Sequence, residues 1–436
     1  MVQALIMLAI GLHARHELAA SDRAIARALQ LAIDLGMHRR EFARRSAWNA
    51  MQQESLRRTW WELYVVDGYL AALHHKSTFR AGSVVKNGGS ANVLLPCEEA
   101  VYETGESAHL PPVAPSLEDF DNRLFSNHDD DDESTTSSPF SSFAYRIGSI
   151  SLLGRVLAVT RMAHVVEGTS DTYAGVDSAL AGWMHHLHPT KVYVVRRDGA
   201  VRDDMLFQAH MLIHYATLVL HCPRSDLVVT LPAAARISCG QADGVGMSPS
   251  AISHLHAAKA TRASTRLTSL ASLCSPVVQE HTPFFICGLL LGATVQLAAC
   301  ASRPVLRWQF RDSVILAIGV LKTLGRTWAL AHNALRLLRD VAGEVLQQSV
   351  HSSAHHGGGV NEAADVEDWQ ARAIIDANTA SGDGDAFAAL SDLMLSPDQL
   401  DLEQLNQFNQ DQMEQWTLPL MLQLDDHQSS HSTSLC

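Results

Sequence analysis

Between Asp22 and Arg39 the apolar residues recur at helical spacing. Ala24, Ala28, Leu31 and Leu35 form one stripe, and Ile25, Leu29 and Ile33 widen it into a face suited to deep packing. Gly36 supplies the stop, and the basic run His38-Arg39-Arg40 follows where the negative end of a helix dipole favours cations. A second helix is predicted from about Gln52 to Leu73. Leu56, Trp60, Leu63, Tyr64 and Asp67 share one face, while Glu54, Arg57, Arg58 and Glu62 mostly lie on the opposite, polar face. Trp60 and Trp61 read as a buried anchor pair with Asp67 as its polar partner.

Lys86 to Ala91, with Gly88-Gly89, predicts a loop, and Pro96 to Pro115 a proline-punctuated coil. Helical periodicity resumes over Tyr145–Val166 and Asp203–His221. Ser248-Pro249-Ser250 is placed to cap a helix over Ala251–Cys274; another follows Pro283, and one or two more span Asp312–Gln348. Val192 to Val195 has strand character without a neighbour to pair with. The fold class expected is all-α. Thr282 to Ser302 carries no charge and is long enough to span a bilayer. Gly288, Gly292, Thr294 and Gln296 within it, and the absence of a polybasic flank, favour a buried core helix and no membrane partner. No Lys or Arg precedes the apolar run Met1–Leu12, which argues against a secretory leader.

Charge divides the chain. Of 436 residues 47% are hydrophobic and 18% charged, so most of the chain can fold; the net charge is −13. From Asn361 onward there are fifteen acidic residues against Arg372 alone, a net of −14, so residues 1–360 sum to +1. A self-sufficient DNA-binding surface would need a basic footprint that this body lacks. The expected organisation is a helical domain over 1–350, a linker over 351–372 and an acidic Gln/Leu-rich segment over 373–436. Within the domain, residues 127–142 hold five consecutive acids, Asp129 to Glu133, and a Ser/Thr run, which predicts a disordered loop. In the tail Leu393, Leu395, Leu402, Leu405, Phe408 and Trp416 alternate with Asp and Glu. Charge keeps such hydrophobes solvated until a partner groove takes them, the pattern of an amphipathic activation segment; the alternative is a solubilising tail.

Candidate chemistry is sparse. The seven cysteines lie at least 13 residues apart, which excludes C-x-x-C zinc spacings and indicates reduced, mostly core thiols. His185-His186-x-His188, and His351 with His355-His356, have ligand types for a divalent metal, but the chain holds 23 histidines and such clusters arise by chance. Asp129–Glu133 invites a metal–diphosphate reading, as in helical terpene cyclases, but no second metal-binding set follows. H-E-x-x-H, G-x-S-x-G, G-x-G-x-x-G and P-loop patterns are absent. No catalytic, cofactor or metal residue is therefore assigned. The basic cluster His38-Arg39-Arg40 with Arg44-Arg45 reads as a solvated helix end, with a nuclear-import signal as the alternative.

Leu29–Arg39, LQLAIDLGMHR, followed by Glu54–Asp67, ESLRRTWWELYVVD, resembles the middle homology region of fungal zinc-cluster transcription factors. Gly36, His38, Arg39, Arg57, Arg58, Trp60, Trp61 and Asp67 match its pattern, with Met37 in place of a leucine. Leu95–Gly105, which contains Pro96, Ser116–Phe125 and Ser141–Ile147 are similar to further segments of that region. Phe207–Leu227 resembles its helix ending in His-Arg-Pro, with His221 and Pro223 retained and Cys222 replacing the arginine. The resemblance spans about residues 2–350 and implies a nuclear, non-enzymatic regulator of RNA polymerase II genes, of the kind that controls secondary-metabolite pathways. It also implies that the body restrains or positions the tail, and that the tail recruits the transcription machinery. The family's six-cysteine zinc cluster lies amino-terminal to this region and has no counterpart here. The expectation is a truncated product, an incomplete gene model, or a regulator that reaches DNA through a homo- or heterodimer with an intact zinc-cluster factor. The alternatives from other classes are a helical-pocket enzyme using Asp129–Glu133 and a partner protein that does not bind DNA.

Overall fold

The computed structural model describes residues 1–43, 48–74, 79–87, 93–104, 115–125, 140–162, 170–188, 191, 203–227, 253–272, 282–302 and 307–354. Among these the backbone forms fourteen α-helices with short 3-10 turns and no strand, so the all-α expectation holds. All of them belong to the compact unit Met1–Gly357. The second unit, Gly358–Cys436, lies outside the described residues, as do Asp129–Glu133, Val192–Val195, Arg44-Arg45 and the tail residues Leu393 to Trp416.

Helices α1 (Val2–Ala14) and α2 (Leu18–Asp34) form a hairpin. Both end in the same hydrogen-bond pattern. After α2, Gly36 N–H donates to the Ile33 carbonyl and Met37 N–H to the Ala32 carbonyl, each at 2.9 Å. Gly36 takes φ +78°, the left-handed conformation in which a side chain is costly, so the predicted stop is the observed one. After α1 the equivalent left-handed position is His16, at φ +65°. A short helix α3 (Arg40–Ala43) leads to α4 (Ala50–Leu73), which opens with a capping box. The Asn49 side chain accepts from Gln52 N–H at 2.8 Å, and the Gln52 side chain from Asn49 N–H at 3.0 Å.

Next come α5 (Arg80–Asn87), α6 (Glu99–Glu103) and α7 (Leu117–Phe125), none of which the periodicity marked. The helix α5 extends into the loop expected from Lys86, and α6 interrupts the coil expected from Pro96. Helix α8 (Ser142–Met162) begins inside the segment expected to be disordered through 142. Residues 140–142 are fixed because Phe140 meets Phe120 edge-on at 5.0 Å and Ser141 caps α8, accepting from Ala144 N–H at 3.1 Å. Helices α9 (Ser170–His185), α10 (Asp204–His221), α11 (Ser253–Ser272), α12 (Phe284–Ser302), α13 (Arg307–Leu324) and α14 (Ala329–Ala354) complete the body. The last runs into the stretch read as the linker.

The hairpin packs on α4, α4 on α8, and α8 on α10; α10 continues through α11 to a cluster of α12, α13 and α14. One continuous apolar core runs from Val2 to Val345. The uncharged helix α12 is enclosed by α10, α11, α13 and α14. Its Gln296 is fully buried; the amide nitrogen donates to the Thr268 hydroxyl at 3.2 Å, while Oε1 has no hydrogen bond. Helix α4 departs from expectation most. Apart from Glu62, every residue from Thr59 to Ala72 is buried, so this helix has no broad solvated face.

Phe79 explains three glycines. Its ring lies against Tyr64 at 4.7 Å and fills the space left by missing side chains at Gly68 in α4, Gly82 in α5 and Gly154 in α8. A methyl group at Gly154 would come within 2.8 Å of the Phe79 ring, and one at Gly68 within 2.6 Å of Ile150. Overpacking of this kind costs about 1–3 kcal/mol. Gly154→Ala is therefore expected to lower unfolding stability by about 2 kcal/mol, measured by urea titration, and an unchanged midpoint would refute the close approach.

Candidate functional site

The motif residues gather around the buried carboxylate of Glu54. That side chain, read from the sequence as lying on the polar face, is fully enclosed. It accepts from Arg57 Nε at 3.0 Å and Nη2 at 2.6 Å, from Arg58 Nε at 3.1 Å, and from Cys97 N–H at 2.9 Å. Burial pushes the Glu54 carboxyl up, but the Arg57 charge and the donors from Arg57, Cys97 and Arg58 outweigh it and hold it below its usual value. Arg58 also donates to the Cys97 carbonyl at 3.0 Å and pairs with Glu99, and its guanidinium lies 4.1 Å over the Tyr102 ring. The segment carrying Pro96 is thereby fastened to α4. Trp61 Nε1 donates to the Leu94 carbonyl at 2.9 Å, and Ser141 Oγ to the Pro96 carbonyl at 2.6 Å. Lys191 joins the same corner, 2.5 Å from Glu98 and 2.6 Å from the Ser142 hydroxyl.

Farther along α4 two more ion pairs repeat the arrangement. Arg146 of α8, itself buried, reaches both oxygens of Glu62 at 2.5 and 2.9 Å. Asp67 is buried and accepts from Ala81 N–H at 2.8 Å and Arg80 Nε at 3.3 Å, and Arg80 continues to Asp22 of α2 at 2.5 Å. Trp60, Trp61 and Asp67 are all buried as expected, but Asp67 serves α5 and Arg80, not the tryptophans. His38 packs 6.1 Å from Trp60, and Arg39 and Arg40 are exposed.

A second polar cluster joins α9, α10 and α11 around His221. His221 Nε2 lies 3.1 Å from Asp177, and its Nδ1 lies 2.9 Å from His256 Nδ1 and 3.1 Å from the Tyr173 hydroxyl. Two facing Nδ1 atoms can share one proton only. With Asp177 taking the Nε2 proton of His221, the network is satisfied when His256 donates. Lys259 holds the other Asp177 oxygen at 2.5 Å. Burial pushes the Asp177 carboxyl up, but the hydrogen bonds from His221 and Lys259 bring it down to about 2. Pro223 sits in the 3-10 turn that follows, Cys222 is buried, and Arg224 lies 3.7 Å over the Tyr173 ring.

A cavity of about 410 Å³ lies elsewhere, between His16, α12 and α14, and its lining includes Ile286, Cys287, Leu290, Leu330 and Leu337. No motif residue lines it. The histidines His185, His186 and His188 do not form a ligand set: among the described residues no three His, Cys, Asp or Glu side chains are arranged to hold a metal ion. With its closest cysteines 13 residues apart, the chain does not fit a six-cysteine zinc cluster. Arg57, Arg58, Trp61 and Asp67 tie α4 to its neighbours, whereas Arg39 stays exposed.

Residues 1–143 match the model of the fungal specific transcription factor domain. The matched stretch ends at the start of α8, so it contains Glu54 with its partners and the Asp67 pair. The chain is also 31% identical over 349 residues to the C6 finger domain transcription factor iacK of Pestalotiopsis fici, an alignment covering 80% of this chain and 48% of that protein. The chain thus spans about half the length of this curated relative. No solved structure matches it.

Removing one member of a buried ion pair costs about 3–5 kcal/mol because the other charges remain. Glu54→Gln, which leaves Arg57 without its anion and Arg58 with Glu99 alone, is expected to lower stability by about 3 kcal/mol in urea titration; a loss near zero would show that solvent already screens the cluster. Buried histidines predict the pH response. Burial lowers His13 to about 3, His210 to about 4 and His214 to about 3, from an ordinary 6.5. The unfolded chain takes up protons that these rings refuse, so stability is full above pH 6.5 and falls as pH drops toward 4. A urea midpoint constant across that window would contradict neutral burial.

Proposed function

We propose that the chain is a nuclear transcriptional regulator of RNA polymerase II genes. In this reading the helical body positions an acidic segment, residues 373–436, that recruits the transcription machinery. The observation that carries the proposal is the alignment of 80% of this chain to a protein named as a transcription factor, together with the domain match over residues 1–143. That Arg57, Arg58 and Asp67 are held in ion pairs supports a regulatory body over an enzyme. DNA is reached through a six-cysteine zinc module, carried by a dimer partner or by a longer form of the chain. Control of a secondary-metabolite pathway is part of the same proposal and rests on the motif resemblance of the segments after α4.

The tail supplies the test. Ala373–Cys436 fused to an unrelated DNA-binding domain is expected to activate a reporter. Replacing Leu402, Leu405, Phe408 and Trp416 by alanine, with every acid kept, is expected to return it to background. A silent parent fusion at normal expression, or an alanine variant as active as the parent, refutes recruitment through these side chains.

A further inference from the structure

From Phe284 to Cys300 every residue of α12 is buried except Cys287 and Leu290, and both line the cavity of about 410 Å³. The cavity is thus the place where this uncharged helix lacks cover. Leu330 and Leu337 of α14 share the lining, so the floor is apolar. Its volume falls in the range of small-molecule sites, about 300–1,000 Å³. The lip is charged. Arg336 and Asp340, both exposed, are one turn apart on α14, a spacing that sets their Cβ atoms about 5–6 Å from each other. Among the described residues neither has an ion-pair partner. Arg336 Nη2 lies 3.5 Å from the Asn333 side-chain oxygen, a turn away in the opposite direction from Asp340. A cation placed before its carboxylate is the weaker order for a helical pair, which leaves both charges open to a ligand.

We propose that this cavity binds a free α-amino acid with a large apolar side chain, of the size of phenylalanine. Its carboxylate meets the Arg336 guanidinium, its ammonium meets the Asp340 carboxylate, and its side chain covers Leu290 and Cys287. An apolar floor alone would accept any hydrophobe, and a guanidinium beside it any apolar acid. Opposite charges one turn apart over the same floor select a molecule that carries both charges on one carbon. The two charge contacts stand at the rim, where water weakens them, so a dissociation constant on the order of 100 μM is expected. The proposal does not depend on the role of the chain in transcription.

Calorimetric titration of the purified full chain with L-phenylalanine tests this and reads binding alone, so its outcome is separate from that of the reporter. Saturable binding is expected. 3-Phenylpropionate, which lacks the ammonium, and phenethylamine, which lacks the carboxylate, should each bind about tenfold more weakly. Two variants assign the charges. Arg336→Gln should weaken phenylalanine about tenfold and leave phenethylamine unchanged. Asp340→Asn should weaken phenylalanine by a similar factor and leave 3-phenylpropionate unchanged. Both positions are exposed, so each variant should keep the parent melting temperature. Three results overturn the proposal: no binding of phenylalanine up to about 10 mM, an analogue lacking one charge that binds as tightly as phenylalanine, or phenylalanine binding that both variants leave unchanged.

Discussion

A carboxylate enclosed in the middle of a helical body is tolerable only if its charge is answered in place, and Glu54 sets that condition for everything around it. Helix α4 is buried on nearly all sides from Thr59 onward, so Asp67 cannot turn to water and Glu62 does so only in part. Glu54, Glu62 and Asp67 each find a cation, and through these cations or the donors beside them each reaches a different piece of the chain. Arg58 and Cys97 N–H bring the Pro96 segment, Arg146 brings α8, and Arg80 brings α5 and α2. Apolar packing alone would let these elements slide over α4. Directional, charge-assisted hydrogen bonds allow one register.

The second cluster repeats this logic without a strong cation at its centre. Tyr173, His221 and His256 are linked by hydrogen bonds, and Asp177 and Lys259 connect them to the surface. Arg224 covers the Tyr173 ring with its guanidinium. The two clusters occupy the α4 and the α9–α11 regions, with the continuous apolar core running through both.

The sequence carried the helices well where one apolar stripe faces the core, as in α2, whose stop at Gly36 follows from a residue that adopts positive φ without strain. It failed where periodicity is uninformative. In α4 the polar residues share the burial of the apolar ones, and a two-sided pattern was read into a helix that has one surface. The spacing of Glu54 to Arg57 and Arg58, three and four residues, did contain the pairing, but nothing local to the helix reveals that a strand of coil will cover it. Helices α5 to α7 are too short for their stripes to stand out, and no local pattern shows that Ser141, the cap of α8, also bonds the Pro96 carbonyl 45 residues away. The resemblance named the right residues as a group, but their roles in bracing the fold became visible only from their partners.

The composition of the Glu54 cluster also bears on the order in which the chain can assemble. Arg57 and Arg58 follow the carboxylate by one helical turn, so the charge is matched as soon as that turn winds, while the chain is still short. Cys97 N–H arrives some forty residues later and finds an acceptor already held in place by its neighbours. During synthesis, then, the second turn of α4 can wait with its carboxylate paired and not bare, and the late-coming Pro96 segment docks onto a prepared socket.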